Sequence, residues 1–178
     1  TRYFTFLEDC LAKVTVVLGD ARLSLANATD HSYDLMVLDA FSSDAIPIHL
    51  LTQEALKLYL SKLSESGVLV FHISNRYLDL KPILGHLAND MNLVCLAQDD
   101  MELNEAEKRA KKAPSTWAVM ARQSPDLNRL KADRRWRSLS STPGARLWTD
   151  DFSNIVSVFK WSLPRIQKLQ EDLKPSSP

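Results

Sequence analysis

The stretch Tyr33–Leu51 constrains the fold of this chain more than any other part of the sequence. Its residues Leu35–Leu38 form a continuous apolar run between polar flanks, which is typical of a strand buried on both faces of a parallel sheet. The run stops at Asp39, and a polar loop with a second acid, Asp44, follows. Because ligands bind at the carboxyl ends of strands in open parallel sheets, the two carboxylates are predicted at a binding edge. Ordinary loop carboxylates are the alternative interpretation.

Strand-like and helix-like segments alternate along the rest of the chain. Strands are predicted over residues 14–18, 35–38, 68–73 and 93–97, with helices that begin after Asp20, Thr52 and Asp79. This alternation predicts an α/β fold with a mainly parallel sheet flanked by helices. Further along, we predict a solvated helix or loop within residues 98–114, strands over residues 117–121 and 155–159, and a surface helix over residues 125–139. A short polar helix and a disordered tail are predicted over residues 163–178.

Composition excludes several classes of function. The 178 residues carry 22 basic and 22 acidic side chains, so nothing predicts a nucleic-acid partner. Basic residues gather only at Lys108–Lys112 and at Arg134–Arg137. No apolar run approaches the roughly 20 residues that span a bilayer. Cys10 and Cys95 lie far apart and outside any metal-ligand spacing, which predicts free thiols in a reducing, cytoplasmic compartment.

The sequence has few of the residues that mark familiar catalytic motifs. With four glycines, it has no glycine-rich phosphate loop. No Ser-His-Asp arrangement stands out, and His72 at a strand end is predicted to be a packed residue rather than a base. Asp39, Asp44, His49 and His72 fit no recognised ligand spacing, so we predict no metal. The chain has no initiator Met and starts with mid-domain character, which indicates part of a longer protein.

Four motifs together resemble one family. They are V-V-L-G-D-A at residues 16–21, Y-D-L-M-V-L-D-A-F-S-S-D at 33–44, G-V-L-V-F-H-I-S-N-R at 67–76 and W-T-D-D-F at 148–152. In order and spacing, residues 1–162 resemble the spermidine synthase family of polyamine aminopropyltransferases, and most closely its members fused behind an integral-membrane segment. The resemblance implies a Rossmann-like class I methyltransferase fold. It also implies that the family's glycine-rich loop and ribose-binding acid would lie upstream of Thr1.

The resemblance assigns roles to the residues around the first two motifs. It implies that Gly19, Asp20 and Ala21 bind the nucleoside cofactor, with Asp20 hydrogen-bonded to the adenine amino group, although capping of a helix is the simpler role for Asp20. Asp39 matches the family aspartate that positions or deprotonates the attacking amine. Asp44 resembles the second acid of the same loop, displaced by two inserted residues.

The residues expected beside the substrate depart from the family pattern. Where the synthases carry a tyrosine and a glycine beside the substrate, this chain reads P-S-T-W-A-V-M at residues 114–120, so Trp117 offers an aromatic wall without a phenolic hydroxyl. The implied reaction moves an aminopropyl group from decarboxylated S-adenosylmethionine to a diamine such as putrescine, without a metal. A carboxylate suits this chemistry because it holds an ammonium group and can remove its proton.

Two other functions remain open at this point. One is methyl transfer from S-adenosylmethionine to a small molecule, since both reactions attack a carbon on the same sulfonium. The other is a non-catalytic ligand-binding domain of a membrane-fused protein. We expect transferase activity in the full-length protein and none in this fragment. The resemblance also leaves open a homodimer and an upstream membrane segment that would tether a cytoplasmic domain to the inner face of a membrane.

Overall fold

The sheet has five strands, and helices connect most of them in the computed structural model, which describes residues 5–40, 47–141 and 146–160. The strands are β1 (Tyr33–Leu38), β2 (Leu63–His72), β3 (Val94–Asp100), β4 (Ser115–Ala121) and β5 (Arg137–Ser138). The helices are α1 (Ala21–Ala26), α2 (Gln53–Lys62), α3 (Lys81–Asp90), α4 (Glu105–Arg109) and α5 (Asn128–Lys131). Single 3-10 turns lie at Ile48–Leu50, Ser124–Leu127 and Ile155–Val158.

Helix α2 forms where capping and periodicity agree. The Thr52 hydroxyl accepts the backbone N–H of Ala55 at 3.2 Å, which satisfies one of the donors exposed at a helix start. The side chains of Leu56 and Tyr59 recur at helical spacing and are buried. The chain becomes extended at Leu63 and enters β2 without a loop. The predicted helix is confirmed, while the following strand starts five residues before the predicted position.

The strand order is β1-β2-β4-β3-β5. β1 pairs with β2 in parallel, whereas β4 is antiparallel to both β2 and β3, and β5 is antiparallel to β3. Strands β1, β2 and β3 therefore point in one direction. The predicted α/β, Rossmann-like architecture is confirmed. Its pairing is mixed because β4 returns between β2 and β3 in the opposite sense.

Two apolar clusters cover the centre of the sheet. The larger one joins sheet residues such as Leu69 and Phe71 to Leu84 and Leu87 of α3, and includes the fully buried Trp148. The smaller one contains Leu96, Val119, Ala121 and Leu127, with Trp136 packed against it. Because side chains alternate between the faces of a strand, the two clusters fall on opposite faces. Strands β2, β4 and β3 are thus the protected centre.

The predicted strand over residues 14–18 is wrong. These residues have no regular secondary structure, and Val16 and Leu18 are 67% and 90% exposed. The expectation that β1 is buried on both faces is also wrong, since Leu35 and Val37 are 58% and 52% exposed. A strand is stabilised by hydrogen bonds to a neighbour, and within the described residues only β2 lies beside β1.

Two later predictions also need correction. The helix predicted over residues 125–139 ends at Lys131. It ends there because Asp133 accepts the backbone N–H of Arg135 in a turn, after which Trp136 packs inward and Arg137 starts β5. The strand predicted over residues 155–159 is a 3-10 turn, and Phe159 makes one isolated bridge to Leu78.

The remaining predictions have mixed outcomes. The charged segment 98–114 contains the exposed helix α4, whose N-terminus is stabilised by a capping box between Asn104 and Glu107. The solvated-helix alternative is therefore confirmed. Cys10 is exposed, Cys95 is buried, and both are free thiols. Among the described residues, no helix has the length and apolarity needed to cross a membrane. The predicted terminal helix and tail over residues 163–178 lie outside the described residues, and the domain boundary at 162 stays a prediction.

Candidate active site

Asp39 lies at the carboxyl end of β1, where the sequence predicted it. The parallel register pairs Leu38 with Phe71, so the residues that follow, Asp39 and His72, meet at the same edge of the sheet. The Asp39 Oδ1 atom lies 2.6 Å from the His72 Nδ1 atom. The Asp39 side chain is 60% exposed, whereas the His72 side chain is 18% exposed. The carboxylate is therefore accessible to a ligand while the imidazole is largely covered.

A chain of hydrogen bonds continues from His72 across the sheet. The His72 Nε2 atom is 2.7 Å from the Ser74 hydroxyl oxygen, which accepts the backbone N–H of Thr116 at 2.8 Å. Since the amide of Thr116 donates to Ser74, the Ser74 proton can be directed to His72 Nε2. In that arrangement the proton of a neutral imidazole lies on Nδ1, where it is donated to Asp39. The contacts of His72 thus accommodate this tautomer and orient the carboxylate.

Trp117 completes this cluster from β4. The antiparallel register places Trp117 opposite His72, and their rings stack with centroids 4.4 Å apart and planes inclined by 23°. The indole N–H donates to the Ser115 hydroxyl at 3.2 Å. Trp117 is therefore the wall against which His72 packs. Its predicted contact with substrate stays a prediction.

Sequence reasoning missed the roles of His72 and Ser74. His72 is packed, as predicted, but it also links Asp39 to Ser74. The available signal was the H-I-S sequence at the end of β2, because two polar residues separated by one position lie on the same face of an extended chain. Their connection to Asp39 and Thr116 depends on strand pairing, which this short pattern does not specify.

A cavity of about 250 Å³ joins α1 to the end of β1. Its lining includes Ala21 and Arg22 from α1 together with Leu38 and Asp39 from β1. The rest of the wall is largely apolar: Leu25, Met36, Val37, Ala40, Leu50 and Tyr59. Burial raises the pKa of the Tyr59 phenol, whose hydroxyl donates to the Leu50 carbonyl. The structure therefore brings one predicted cofactor residue, Ala21, and the predicted catalytic Asp39 to the same cavity.

Gly19 and Asp20 shape the entrance to α1. Gly19 has a φ of +129°, a conformation that favours glycine. Asp20 caps the helix, with its Oδ1 atom accepting the backbone N–H of Leu23 at 2.9 Å, and its Oδ2 atom lies 3.5 Å from the His49 Nε2 atom. The hydrogen bond from Leu23 is the main reason that the Asp20 pKa is lowered. The capping role is confirmed, whereas binding of a nucleoside by Gly19, Asp20 and Ala21 stays a prediction.

Arg22 links α1 to the W-T-D-D-F motif through an ion pair with Asp150. Its guanidinium donates to both carboxylate oxygens of Asp150, at 2.8 and 2.6 Å, and to the His49 carbonyl at 2.9 Å. The buried Thr52 hydroxyl donates to Asp150 at 2.7 Å. These hydrogen bonds, that from Arg22 first, lower the pKa of Asp150 to about 2. The ion pair of Arg22 with Asp150 and the hydrogen bond from Thr52 thereby hold α1 beside the start of α2.

Two further features concern the site: the predicted second acid, Asp44, and groups of side chains that could bind a metal ion. Asp44, the predicted second acid, lies outside the described residues, and so does the inserted Phe41. Within the ranges that the structure does describe, no group of three or more His, Cys, Asp or Glu side chains is arranged to hold a metal ion. Among the described residues, the candidate active site consists of Asp39, His72, Ser74 and Trp117.

Comparison with known proteins adds an independent observation. No protein-family model matches the chain. A polyamine aminopropyltransferase from Vibrio vulnificus (strain CMCP6) is 31% identical over 172 residues, an alignment covering 85% of this chain and 54% of that protein. This similarity supports the resemblance to the spermidine synthase-like family. The chain spans about half the length of that relative.

The chain is also similar to a solved structure. The crystal structure of a probable spermidine synthase from Corynebacterium glutamicum ATCC 13032 matches with a TM-score of 0.49 and 16% sequence identity. The match covers 78% of this chain and 55% of the solved chain.

Proposed function

We propose that the protein containing this chain transfers an aminopropyl group from decarboxylated S-adenosylmethionine to a diamine such as putrescine. The observation that carries the proposal is the position of Asp39: it ends β1, is held by His72 and lines the same cavity as Ala21. The name of the Vibrio vulnificus relative supports the same class of reaction.

Asp39 has the accessibility that a base for an amine requires. Its Oδ1 atom is engaged by His72, and its Oδ2 atom has no hydrogen-bond partner in the part of the chain that the structure describes. The Oδ2 atom can therefore attract a substrate ammonium group and then accept its proton. The freed nitrogen lone pair attacks the carbon next to the sulfonium, a carbon–nitrogen bond forms, and the carbon–sulfur bond breaks. Its electron pair stays on sulfur, which becomes a neutral thioether.

His72 and Ser74 act through Asp39 in this proposal. Both imidazole nitrogens of His72 are occupied, Nδ1 by Asp39 and Nε2 by Ser74. His72 is therefore a positioning residue that restricts rotation of the Asp39 carboxylate. Trp117 stacks on the imidazole and limits its rotation in turn. Fixing a base in its reactive orientation reduces the entropy lost on reaching the transition state.

The first test is the effect of Asp39→Asn on turnover in the full-length protein. The substitution keeps the size of the side chain and removes its ability to accept a proton, so we expect kcat to fall by about 10²- to 10⁴-fold. Asp34→Asn is the matched control, because Asp34 is an exposed carboxylate on the same strand and its side chain accepts a hydrogen bond from Ser64. Unchanged turnover in Asp39→Asn would contradict the proposal.

Calorimetric titration identifies the donor. Methylthioadenosine, S-adenosylmethionine and its decarboxylated form are titrated into the full-length protein, followed by putrescine. We expect the decarboxylated donor to bind more tightly than S-adenosylmethionine. The opposite preference would favour methyl transfer, and failure to bind any nucleoside would favour a non-catalytic domain.

A further inference from the structure

A second cavity, of about 620 Å³, lies at the opposite edge of the sheet from Asp39. It is formed by the start of α3, by β3 and by the segment around β5. Four cationic side chains line it, together with the single carboxylate of Asp99: Lys81, Arg134, Arg135 and Arg137. This cavity contains the second basic cluster of the sequence, which the proposed transferase site does not use.

Two of the four cations already have carboxylate partners. Lys81 donates to both oxygens of Asp99, at 2.9 and 3.2 Å. Arg135 donates to Asp133 through its side chain at 2.6 to 3.1 Å. Arg134 and Arg137, by contrast, have no acidic partner among the described residues. The cavity therefore contains two uncompensated guanidinium groups, beside the hydroxyls of Ser138 and Ser140.

The fold holds these arginines in place through their neighbours. Trp136 lies between them in sequence and packs against the cluster of Leu96, Val119 and Leu127. Arg137 itself is in β5, paired with Ala97 of β3. The segment is thus anchored on both sides of Arg137, and its basic side chains are presented at one cavity instead of along a free loop.

Helix α3 adds to the positive potential of the cavity. Its first residues, Lys81 and Pro82, form part of the wall, and the start of a helix carries a partial positive charge. The helix approaches the segment after β5 closely, since a Cβ atom at Gly85 would lie 2.6 Å from the Ser140 carbonyl oxygen. The wall on this side is therefore formed by tightly packed backbone.

We propose that this cavity binds a small molecule carrying a diphosphate or longer phosphate group, with Arg134 and Arg137 as its principal contacts. A guanidinium presents two parallel donors that match phosphate oxygens. Two unpaired guanidinium groups match a ligand with at least two negative charges better than a monocarboxylate. The two arginines are exposed, so the attraction is screened by salt. The site is separate from Asp39, and this proposal stands or fails independently of aminopropyl transfer.

The test is calorimetric titration of the full-length protein with inorganic pyrophosphate. We compare the wild type with Arg134→Gln/Arg137→Gln and with the matched control Arg109→Gln/Lys111→Gln. Each variant loses two positive charges, but Arg109 and Lys111 do not line the cavity. We expect affinity to fall at least tenfold in the first variant and less than twofold in the control. Raising the salt concentration from 50 to 200 mM should weaken wild-type binding severalfold.

Several outcomes would overturn the proposal. Equal losses in the two double variants would show attraction to general surface charge, and absence of wild-type binding at 50 mM salt would exclude the site. Arg134→Lys/Arg137→Lys guards against a folding defect, because it keeps both charges and removes only the paired donor geometry. We expect intermediate affinity in this variant, and wild-type affinity would contradict guanidinium recognition.

Discussion

Strands β1 and β2 are neighbours in the same sheet, but their environments differ. In the parallel register Leu35 faces Val68 and Val37 faces Val70. β2 has a strand on each side, and its Leu69 and Phe71 are fully buried. β1 has one neighbour among the described residues, and both Leu35 and Val37 are more than half exposed. An apolar run therefore indicates a strand, whereas its burial depends on what the rest of the fold places beside it.

Truncation of one leucine on each strand tests this difference most strongly. Leu69→Ala removes a side chain that is 0% exposed, so we expect a loss of about 2 to 5 kcal/mol in the free energy of unfolding. Leu35→Ala removes one that is 58% exposed, for which we expect less than about 1 kcal/mol. Urea unfolding measures both. Similar losses would show that the face of β1 is covered in solution.

Gly85→Ala probes the closely packed side of the sheet. The added Cβ atom would lie 2.6 Å from the Ser140 carbonyl oxygen, so α3 must move away from the backbone after β5. Overpacking of this kind costs about 1 to 3 kcal/mol, offset by about 1 kcal/mol of improved helix propensity. We expect a net destabilisation in thermal unfolding. Asn89→Ala, at an exposed position of the same helix, should be close to neutral, and equal behaviour of the two variants would contradict the close approach.

Asp150→Asn tests the ion pair that holds α1 near the exposed strand. Its side chain is 42% exposed, so after discounting for solvent screening we expect a loss of about 1 kcal/mol at pH 7. The pKa of Asp150 falls from 3.8 to about 2 on folding. The stabilisation is therefore complete above about pH 4 and is lost as the pH falls towards 2.

The measurement for Asp150 is unfolding of the wild type and Asp150→Asn across this pH range. The stability difference between them should narrow between about pH 4 and pH 2, because protonation removes the same negative charge in the wild type. Asp151→Asn is the control, since the neighbouring Asp151 is exposed and no salt bridge of the described residues includes it. A constant difference at all pH values would show that the ion pair does not stabilise the fold.

Local patterns predicted the elements whose signals lie within one segment. Thr52 and the periodic leucines after it defined α2, and the polar residue after an apolar run placed Asp39 at a strand end. The predictions that were wrong concern segments whose structure depends on residues distant in sequence. Residues 14–18 have β-branched character, but within the described structure they have no strand partner. Arg134–Arg137 suited a surface helix equally well until the packing of Trp136 determined an extended chain.

The site shows the same division between local and distant information. Asp39 and the cap at Asp20 were predicted from their immediate neighbours. The contact of Asp39 with His72 joins positions 33 residues apart, and that of Ser74 with Thr116 joins positions 42 apart. No spacing within a single segment specifies such pairs. Asp44 stays a prediction because its position lies outside the described residues.

The strand order also determines which pairing of strands the site depends on. Among the described residues β3 does not pair with β2, because β4, which comes later in the chain, lies between them. The stacking of Trp117 on His72 and the hydrogen bond from the Thr116 amide to Ser74 are made only when β4 pairs with β2. Contacts of large sequence separation are slow to form, so Asp39 acquires its full support only after this long-range pairing.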